Sequence, residues 1–232
     1  MLRWIVVLLF LTTRLLAVAA TFTYGGQSFS GGDDLVHDAM IDNGIGGTNA
    51  AKNYGATTNL AASTTTHMLI SWGQILKSGF TASLNCTCKV VIAGAGFGSS
   101  GLSINEMLRP VYTYIGNNNA TTADAGENNY NLWRETGGTD SSWRTAGAAG
   151  ASDAGVWNST SGSSGYDRKN TAMGSATVAQ SAAAAYVAFP CDTAWVSRFI
   201  SGTNAEAAII VRTTSGQPAY WSSNYFDGDS YP

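Results

Sequence analysis

Oxygen-bearing side chains cluster in one glycine-rich stretch, DAMIDNGIGGTNAAKNYGATTNL. Its candidate metal ligands are Asp38, Asp42, Asn43 and Asn49. Calcium takes six to eight oxygen ligands from carboxylates, amides and backbone carbonyls, so these residues predict a structural Ca²⁺ site. The alternative is an Asx-turn connection, in which the side chains hydrogen-bond to their own backbone. The spacing lacks the glutamate that closes an EF-hand loop, and this favours the turn.

Aromatic side chains in polar loops form a second candidate site. Carbohydrate binding needs flat aromatic faces for the sugar rings and polar groups for the hydroxyls. Trp72 and Trp195 lie on apolar faces typical of a core, whereas Trp133, Trp143 and Trp157 lie in polar loops. The predicted carbohydrate-binding residues are Trp133, Trp143, Trp157, Tyr130, Arg134 and Arg144. Each aromatic residue also fits a role as a loop anchor packed over the core.

Catalytic patterns are weaker. His67 with Tyr54 or Tyr112 could supply the base of a polysaccharide lyase, with an arginine neutralising a uronate carboxylate. However, no motif flanks His67, and an exposed strand histidine explains it more simply. The glutamates show no pairing across a cleft, which glycoside hydrolysis requires. The sequence also lacks a nucleophile elbow, a P-loop and a zinc-ligand spacing.

The first 20 residues have the pattern of a secretory signal. Arg3 precedes the apolar run Ile5 to Leu11, and Val18-Ala19-Ala20 fits a cleavage site. Arg14 interrupts the apolar stretch, which is too short for a membrane span of about 20 residues. We therefore expect a secreted domain of residues 21–232 with no span after signal removal.

Composition narrows the function classes. Without Arg3 and Arg14 the chain has 10 basic and 15 acidic residues, a net charge of −5. This balance argues against nucleic-acid binding, which needs a basic surface. Only 12% of the residues are charged, and small uncharged residues are abundant, as in an extracellular β protein.

The three cysteines are consistent with export. Cys86 and Cys88 are two residues apart, so bridging them to each other would strain the disulfide. Cys191 is expected to pair with one of them, and the predicted disulfide is Cys88–Cys191. Three reduced, buried thiols are the alternative.

Short apolar segments predict strands rather than long helices. The predicted strands are Leu35–Ile41, His67–Trp72, Lys89–Ala93, Val111–Ile115, Tyr186–Phe189 and Ala207–Thr213. Polar, turn-rich pieces separate them, which indicates an all-β, antiparallel β-sandwich of the jelly-roll type. One short helix is predicted near Asp192–Ser201, with apolar residues four apart. Residues 137–185 carry recurring aromatics and predict long ordered loops over the sheet, with one or two short strands.

Several segments together resemble the DNRLRE-type domain, a secreted β-sandwich module related to carbohydrate-binding modules of polysaccharide-degrading enzymes. The likeness rests on DAMID followed by NYGATTNLAAS, on HMLISW, on LWRETGGTDSSWRTAGA, and on YVAFPCDTAWVSRFISGTNAEAAIIVRT with YWSSNYFDGDSYP. The name-giving string is absent, and His67 stands where an arginine is common. The resemblance implies a β-sandwich that binds polysaccharide.

These observations predict a secreted, non-catalytic carbohydrate-binding or cell-surface module whose partner is a polysaccharide or cell-surface glycan. The second hypothesis is a subunit of an extracellular filament or surface layer. The chain ends where the family usually continues into one more strand, and copies of the protein could complete the sheet by strand exchange. A polysaccharide lyase is the third hypothesis.

Overall fold

The computed structural model describes residues 37–55, 59–71, 88–94, 100–111, 120–134, 140–160, 164–178, 185–191, 193–201, 203–204, 206–213 and 219–221. Across these ranges the chain forms antiparallel sheets, one short helix and one 3₁₀ turn, which confirms the predicted all-β class. The predictions for residues 1–20, Leu35, Trp72, Cys86 and Tyr112 concern residues outside these ranges.

The elements follow one another in a regular order. The strands of the first half are β1 (His37–Asp42), β2 (Lys52–Asn53), β3 (Asn59–Ala61), β4 (Thr66–Ser71), β5 (Cys88–Gly94) and β6 (Ser100–Glu106). The later elements are β7 (Thr121–Thr122), β8 (Leu132–Arg134), β9 (Ser141–Ser142), β10 (Gly174–Val178), β11 (Ala185–Cys191), α1 (Thr193–Ile200), β12 (Ala208–Thr213) and β13 (Ala219–Trp221). The 3₁₀ turn spans Ile45–Gly47.

The larger sheet has the strand order β1-β4-β12-β6-β10. Its register places Leu69 opposite both Ala39 and Ile210, and Ile210 opposite Asn105. Because side chains alternate between the two faces of a strand, this register defines one face, which we call the front face. Its members are Ala39, Ile41, His67, Leu69, Ser71, Ala208, Ile210, Arg212, Asn105, Ser103, Gly101, Ser175 and Thr177.

Loop residues cover one end of the front face. Trp133, Trp143, Ala148 and Val111 form a buried cluster with the sheet residues. The sheet residues of this cluster are Ala39, Ile41, Leu69, Ala208 and Ile210, and Met107 joins them from the position after β6. β4 and β12 are therefore buried on both faces, which explains why their sequences are almost continuously apolar. The predicted loop layer over the sheet is confirmed for this end.

The smaller sheet has the strand order β11-β5-β13-β3. Pro190 lies in β11, an edge strand, where a missing N–H is tolerated. β10 lies beside β11, and β3 lies beside β1 and β4, so the two sheets adjoin at both ends. This arrangement fits the predicted sandwich, and face-to-face stacking of the sheets stays a prediction.

The helix α1 confirms the predicted helix within one residue at each end. Trp195 is buried, and Arg198 donates from Nε to Glu106 Oε1 of β6 at 3.0 Å. Asn204 Nδ2 donates to the same oxygen at 2.7 Å. The buried Glu106 carboxylate thus fixes the helix and the following turn to the larger sheet. In the described part of the chain, no helix is long and apolar enough to cross a membrane.

Four of the six predicted strands appear as β4, β5, β11 and β12, and the weaker prediction at Leu35–Ile41 overlaps β1. Val111 lies outside any strand, so the prediction of a strand from that residue is wrong at its start. β6 was not predicted, because Gly101 and Ser103 interrupt its apolar pattern. β9 and β10 are the short strands expected within residues 137–185.

Candidate functional site

Two of the predicted sugar platforms are core residues. Trp133 is 0% exposed and Trp143 is 3% exposed, so neither ring is open to a ligand. The Trp133 ring lies near the guanidinium groups of Arg109 and Arg134, at 5.5 and 5.2 Å from its centroid. Trp143 donates from Nε1 to the Asn129 carbonyl at 2.8 Å. The structure corrects both predictions: these side chains anchor the loops to the sheet.

A buried aspartate organises the same loops. The Asp167 carboxylate accepts hydrogen bonds from the backbone N–H groups of Arg144, Thr145 and Gly150 at 2.8, 3.1 and 2.9 Å. Arg109 Nε lies 3.6 Å from Asp167 Oδ1, and both side chains are fully buried. Burial raises the pKa of Asp167, and the three backbone hydrogen bonds and the Arg109 charge oppose that rise. Asp167 therefore fixes the positions of the residues on either side of it.

Next to this aspartate, a group of side chains reaches solvent. The Arg144 guanidinium lies 4.3 Å from the centroid of the Tyr166 ring. Trp157 and Tyr166 are half-buried, and Val156 is 74% exposed. We call Arg144, Val156, Trp157 and Tyr166 the loop patch. Trp157 and Arg144 thus keep the exposure that their predicted roles require.

Hydrogen bonds hold the two segments of the loop patch side by side. Asn158 donates from its backbone N–H to the Leu108 carbonyl at 2.9 Å and from Nδ2 to the Ser164 carbonyl at 2.8 Å. Lys169 Nζ donates to the Gly155 carbonyl at 2.7 Å. A Cβ at Gly155 would lie 3.2 Å from Tyr166 Cβ, which shows how closely the segments approach. The loop patch therefore has a fixed base.

The remaining predicted sugar contacts are half-buried. Tyr130 packs against Gly147, where an added Cβ would lie 2.6 Å from its ring. The Gly147 N–H also donates to the Tyr130 carbonyl at 2.6 Å. Arg134 lies over Trp133 and donates weakly to Ser141 Oγ at 3.5 Å. Both residues support the covered core, and their role in sugar binding stays a prediction.

Three of the four predicted calcium residues border an open groove of about 760 Å³ after β1: Asp42, Asn43 and Asn49. Asp42 Oδ1 accepts from the Gly44 N–H at 3.0 Å and from Thr66 Oγ1 at 2.7 Å. Asp42 Oδ2 accepts from Asn49 Nδ2 at 2.6 Å. These contacts have the pattern of an Asx turn, which was the alternative interpretation.

Asp38 is separated from the other predicted calcium ligands. It lies four residues before Asp42 in β1, and a strand rises about 3.3 Å per residue, so their Cα atoms are roughly 13 Å apart. Among the described residues, no three His, Cys, Asp or Glu side chains come together as metal ligands. Calcium binding at Asp42, Asn43 and Asn49 stays a prediction, and a chelator that leaves the melting temperature unchanged would contradict it.

Three basic side chains influence one another electrostatically near the point where the covered part of the front face ends. His67 and Arg212 belong to this face, and Arg168 forms an isolated bridge with Met107 beside β6. The charges of Arg212 and Arg168 both act on His67, and Arg212 also acts on Arg168. His67 and Arg168 are each 5% exposed, and Arg212 is half-buried. We call these three residues the basic cluster.

The histidine of this cluster is neutral. Burial lowers the pKa of His67 to about 4, its hydrogen bond to Gly147 opposes that change, and the charges of Arg212 and Arg168 reinforce it. His67 Nδ1 lies 2.8 Å from the Gly147 carbonyl oxygen, so Nδ1 carries the proton and donates. The expected exposed strand histidine is therefore wrong, because His67 is buried beneath the Gly147 turn.

Beyond the basic cluster the front face is open. Gly101, Ser175 and Thr177 are exposed, and Ser103 is half-buried. A Cβ built on Gly101 meets no atom of the described residues within 4 Å. We call these four residues the shelf. In the register, Arg212 lies directly opposite Ser103, so the shelf begins beside the basic cluster.

No protein-family model matches the chain, and a search of curated proteins finds no match either.

Sequence reasoning missed Asp167, Arg109 and Arg212. The inward orientation of Arg212 was predictable, since it is two residues after Ile210 in an apolar strand and therefore shares its inward face. Asp167 and Arg109 lie in irregular segments, where no local periodicity predicts burial.

Proposed function

We propose that the protein is a secreted, non-catalytic module that binds polysaccharide at the loop patch. The supporting observation is the pair of half-buried aromatic residues, Trp157 and Tyr166, on adjacent segments whose backbone is fixed by hydrogen bonds. A rigid, partly exposed ring can stack on a sugar without the entropic cost of ordering a mobile loop. Trp157 takes the place of the three-tryptophan platform expected from the sequence.

Each member of the loop patch has a separate role in this proposal. Trp157 and Tyr166 supply ring faces for sugar stacking. Arg144 covers part of Tyr166, and its planar guanidinium directs N–H donors toward sugar hydroxyl or carboxylate oxygens. Val156 is 74% exposed and extends the apolar surface beside Trp157.

Two buried glutamates support a non-catalytic role. Glu106 accepts hydrogen bonds from Arg198 and Asn204. Glu206 accepts from Ser71 Oγ at 3.0 Å and from the Val111 N–H at 2.8 Å. These carboxylates link sheet, helix and loop, whereas a glycoside hydrolase needs two carboxylates facing a substrate across a cleft.

The test is affinity electrophoresis of the secreted chain in native gels that contain a soluble neutral or acidic polysaccharide. We expect retardation by at least one polymer. Trp157→Ala and Tyr166→Ala should each weaken it about three- to tenfold, since one aromatic contact contributes roughly 0.5–1.5 kcal/mol. Ile45→Ala is the matched control, because Ile45 is 94% exposed and lies outside the loop patch.

Failure of every polysaccharide to retard the wild-type chain would contradict the proposal. Regular assemblies seen by electron microscopy in the same samples would then favour the filament hypothesis. Retardation that both aromatic variants retain in full would show that polysaccharide binds elsewhere on the protein.

We also propose a disulfide between Cys88 and Cys191, which a secreted protein can retain. Cys88 and Cys191 are direct partners in the register of β5 and β11. Residues opposite each other in antiparallel strands have Cα atoms about 4.5–5.5 Å apart, a separation that a disulfide can span. Thiol titration of the denatured, unreduced protein should find one free thiol, on Cys86. Three free thiols would contradict the pairing.

A further inference from the structure

We propose that the basic cluster binds one oxyanion at the inner edge of the shelf, with Arg168 and Arg212 as its charged ligands. The site lies on the larger sheet and shares no residue with the loop patch, so it goes beyond polysaccharide stacking. The ligand class is a sulfate, a phosphate or a carboxylate, either as a free ion or as a group on a larger molecule.

The first argument is the charge balance of the cluster. Asp167 is the acid whose charge acts on Arg168, but its oxygens already accept three backbone N–H groups and lie beside Arg109. No acid acts on Arg212 among the residues that the structure describes. Two partly desolvated guanidinium groups therefore repel each other and are incompletely neutralised, and an anion bound between them would relieve that repulsion.

The second argument is hydrogen bonding. Arg168 is 5% exposed, and its Nε has no hydrogen-bond acceptor, although Nη1 donates to the Lys169 carbonyl at 3.0 Å. The Nε of Arg212 is also buried without an acceptor. Buried polar groups are normally hydrogen-bonded, and guanidinium donors match the geometry of oxyanions. Two unsatisfied donors of the same kind in one cluster thus indicate a missing acceptor.

Of the neutral groups nearby, Ser103 is suited to the same ligand and Asn105 is not. Asn105, which is 2% exposed, shares the front face with the cluster, but it donates from Nδ2 to the Lys169 and Asn170 carbonyls at 3.3 and 3.1 Å and has no N–H group left for an anion. Ser103, opposite Arg212, brings a hydroxyl that can donate to an anion. His67 is neutral and adds no further repulsion within the cluster.

The third argument is access. The shelf is open above Gly101, and Arg212 is half-buried beside it, so an anion can approach Arg212 from solvent without displacing a side chain at Gly101. Arg168 is more deeply buried than Arg212 and would supply the second guanidinium. Although burial, followed by the charge of Arg212, lowers the pKa of Arg168 to about 10, its guanidinium stays protonated at neutral pH.

Isothermal titration of the secreted chain with sodium sulfate, sodium phosphate and sodium acetate, at fixed sodium chloride, tests this site. We expect saturable one-site binding of at least one of the three anions. Arg212→Gln should weaken that binding at least about tenfold, since hydrogen bonds to charged groups contribute roughly 1.5–3 kcal/mol. Arg212 is chosen because its partial exposure makes the variant more tolerant than a change at Arg168. Lys52→Gln is the control: it removes one positive charge from a half-buried side chain outside the basic cluster and the loop patch, and its affinity should match the wild type.

A second arm separates a free ion from a group on a polymer. Dextran sulfate and uncharged dextran are compared as competitors of sulfate. Competition by dextran sulfate alone assigns the site to a polymer-borne anion, and the absence of competition assigns it to a free ion. The proposal is overturned if none of the three anions binds saturably, or if Arg212→Gln binds as tightly as the wild type. Retention in polysaccharide gels depends on Trp157 and Tyr166, so either proposal can fail without the other.

Discussion

The two ends of the front face contrast sharply, although they belong to the same five strands. At the covered end, Trp133 and Trp143 pack on Leu69 and Ile210, and both tryptophans are buried. At the open end, the shelf presents a glycine and three hydroxyl-bearing residues to solvent. One sheet face thus serves as protein core and as free surface.

The boundary between the ends carries the charges. His67 donates to the Gly147 carbonyl where the loop layer stops, and the charges of Arg168 and Arg212 both act on it there. Charged groups are costly in the dry core and ordinary in water, so a boundary is where their desolvation is partial and their interactions are strong. The contrast indicates that loop coverage decides which side chains can act on a ligand.

The largest effect is expected for Asp167→Ala, which should destabilise the loops at the covered end of the front face. This variant leaves the N–H groups of Arg144, Thr145 and Gly150 without their acceptor and leaves Arg109 buried without its counter-charge. We expect a decrease of about 3–5 kcal/mol in the free energy of unfolding, measured by urea denaturation.

Asp153→Ala is the matched control for this variant. Asp153 accepts hydrogen bonds from the Thr171 N–H and Oγ1 at 2.7 and 2.9 Å, but at an exposed position. The loss there should be far smaller. Equal losses in the two variants would contradict the special role of Asp167.

The boundary itself should respond to pH through His67. Its pKa is about 4 in the folded protein, against 6.5 in the unfolded chain, because burial disfavours the charged imidazole. The unfolded state therefore binds more protons between these values. Neutral, buried His67 therefore stabilises the fold fully above pH 6.5. The free energy of unfolding falls by roughly 3 kcal/mol as the pH is lowered from 6.5 through about 4.

Urea midpoints of the wild type and of His67→Gln, measured between pH 7 and pH 4, check this dependence. The variant should lose less stability over that range than the wild type. Ile45→Ala, which alters an exposed side chain that carries no titratable group, should show the same pH dependence as the wild type. Parallel pH profiles for wild type and His67→Gln would show that another group is responsible.

The smallest effects on stability are expected when one methyl group is added at each end of the front face. A Cβ at Gly150, in the covered region, would lie 2.6 Å from Asp167 Oδ2 and 2.7 Å from Arg144 Cβ, so Gly150→Ala should cost about 1–3 kcal/mol. A Cβ at Gly101 meets open space, and Gly101→Ala should stay within about 0.5 kcal/mol of the wild type. Thermal melts of both variants provide the measurement, and a clear destabilisation by Gly101→Ala would mean that the shelf is covered.

Much of the secondary structure was predictable, because strand and helix periodicity is a local property. β4, β5, β11 and β12 follow from short apolar runs, and α1 follows from apolar residues four apart. β6 was missed for an instructive reason. Its front-face positions Gly101 and Ser103 belong to the shelf, so the strand lacks the apolar signal that burial on both faces would require.

The site was less predictable than the fold. Trp133 and Trp143 have polar sequence neighbours, which suggested exposed loops, yet the loops fold back and bury both rings on the sheet. Trp157 and Arg144 have similar neighbours and stay accessible. Local sequence does not distinguish these cases, since burial depends on what packs above a residue.

The sequence by itself determined the all-β class, the helix after β11 and the positions of most main strands along the chain, because backbone periodicity depends on neighbouring residues. Only the tertiary structure decided which tryptophans are buried, that Asp167 links three loop amides to Arg109, and that Arg168 and Arg212 approach each other beside the shelf. These outcomes depend on contacts between residues distant in sequence, where packing and desolvation, rather than local preference, determine the free energy.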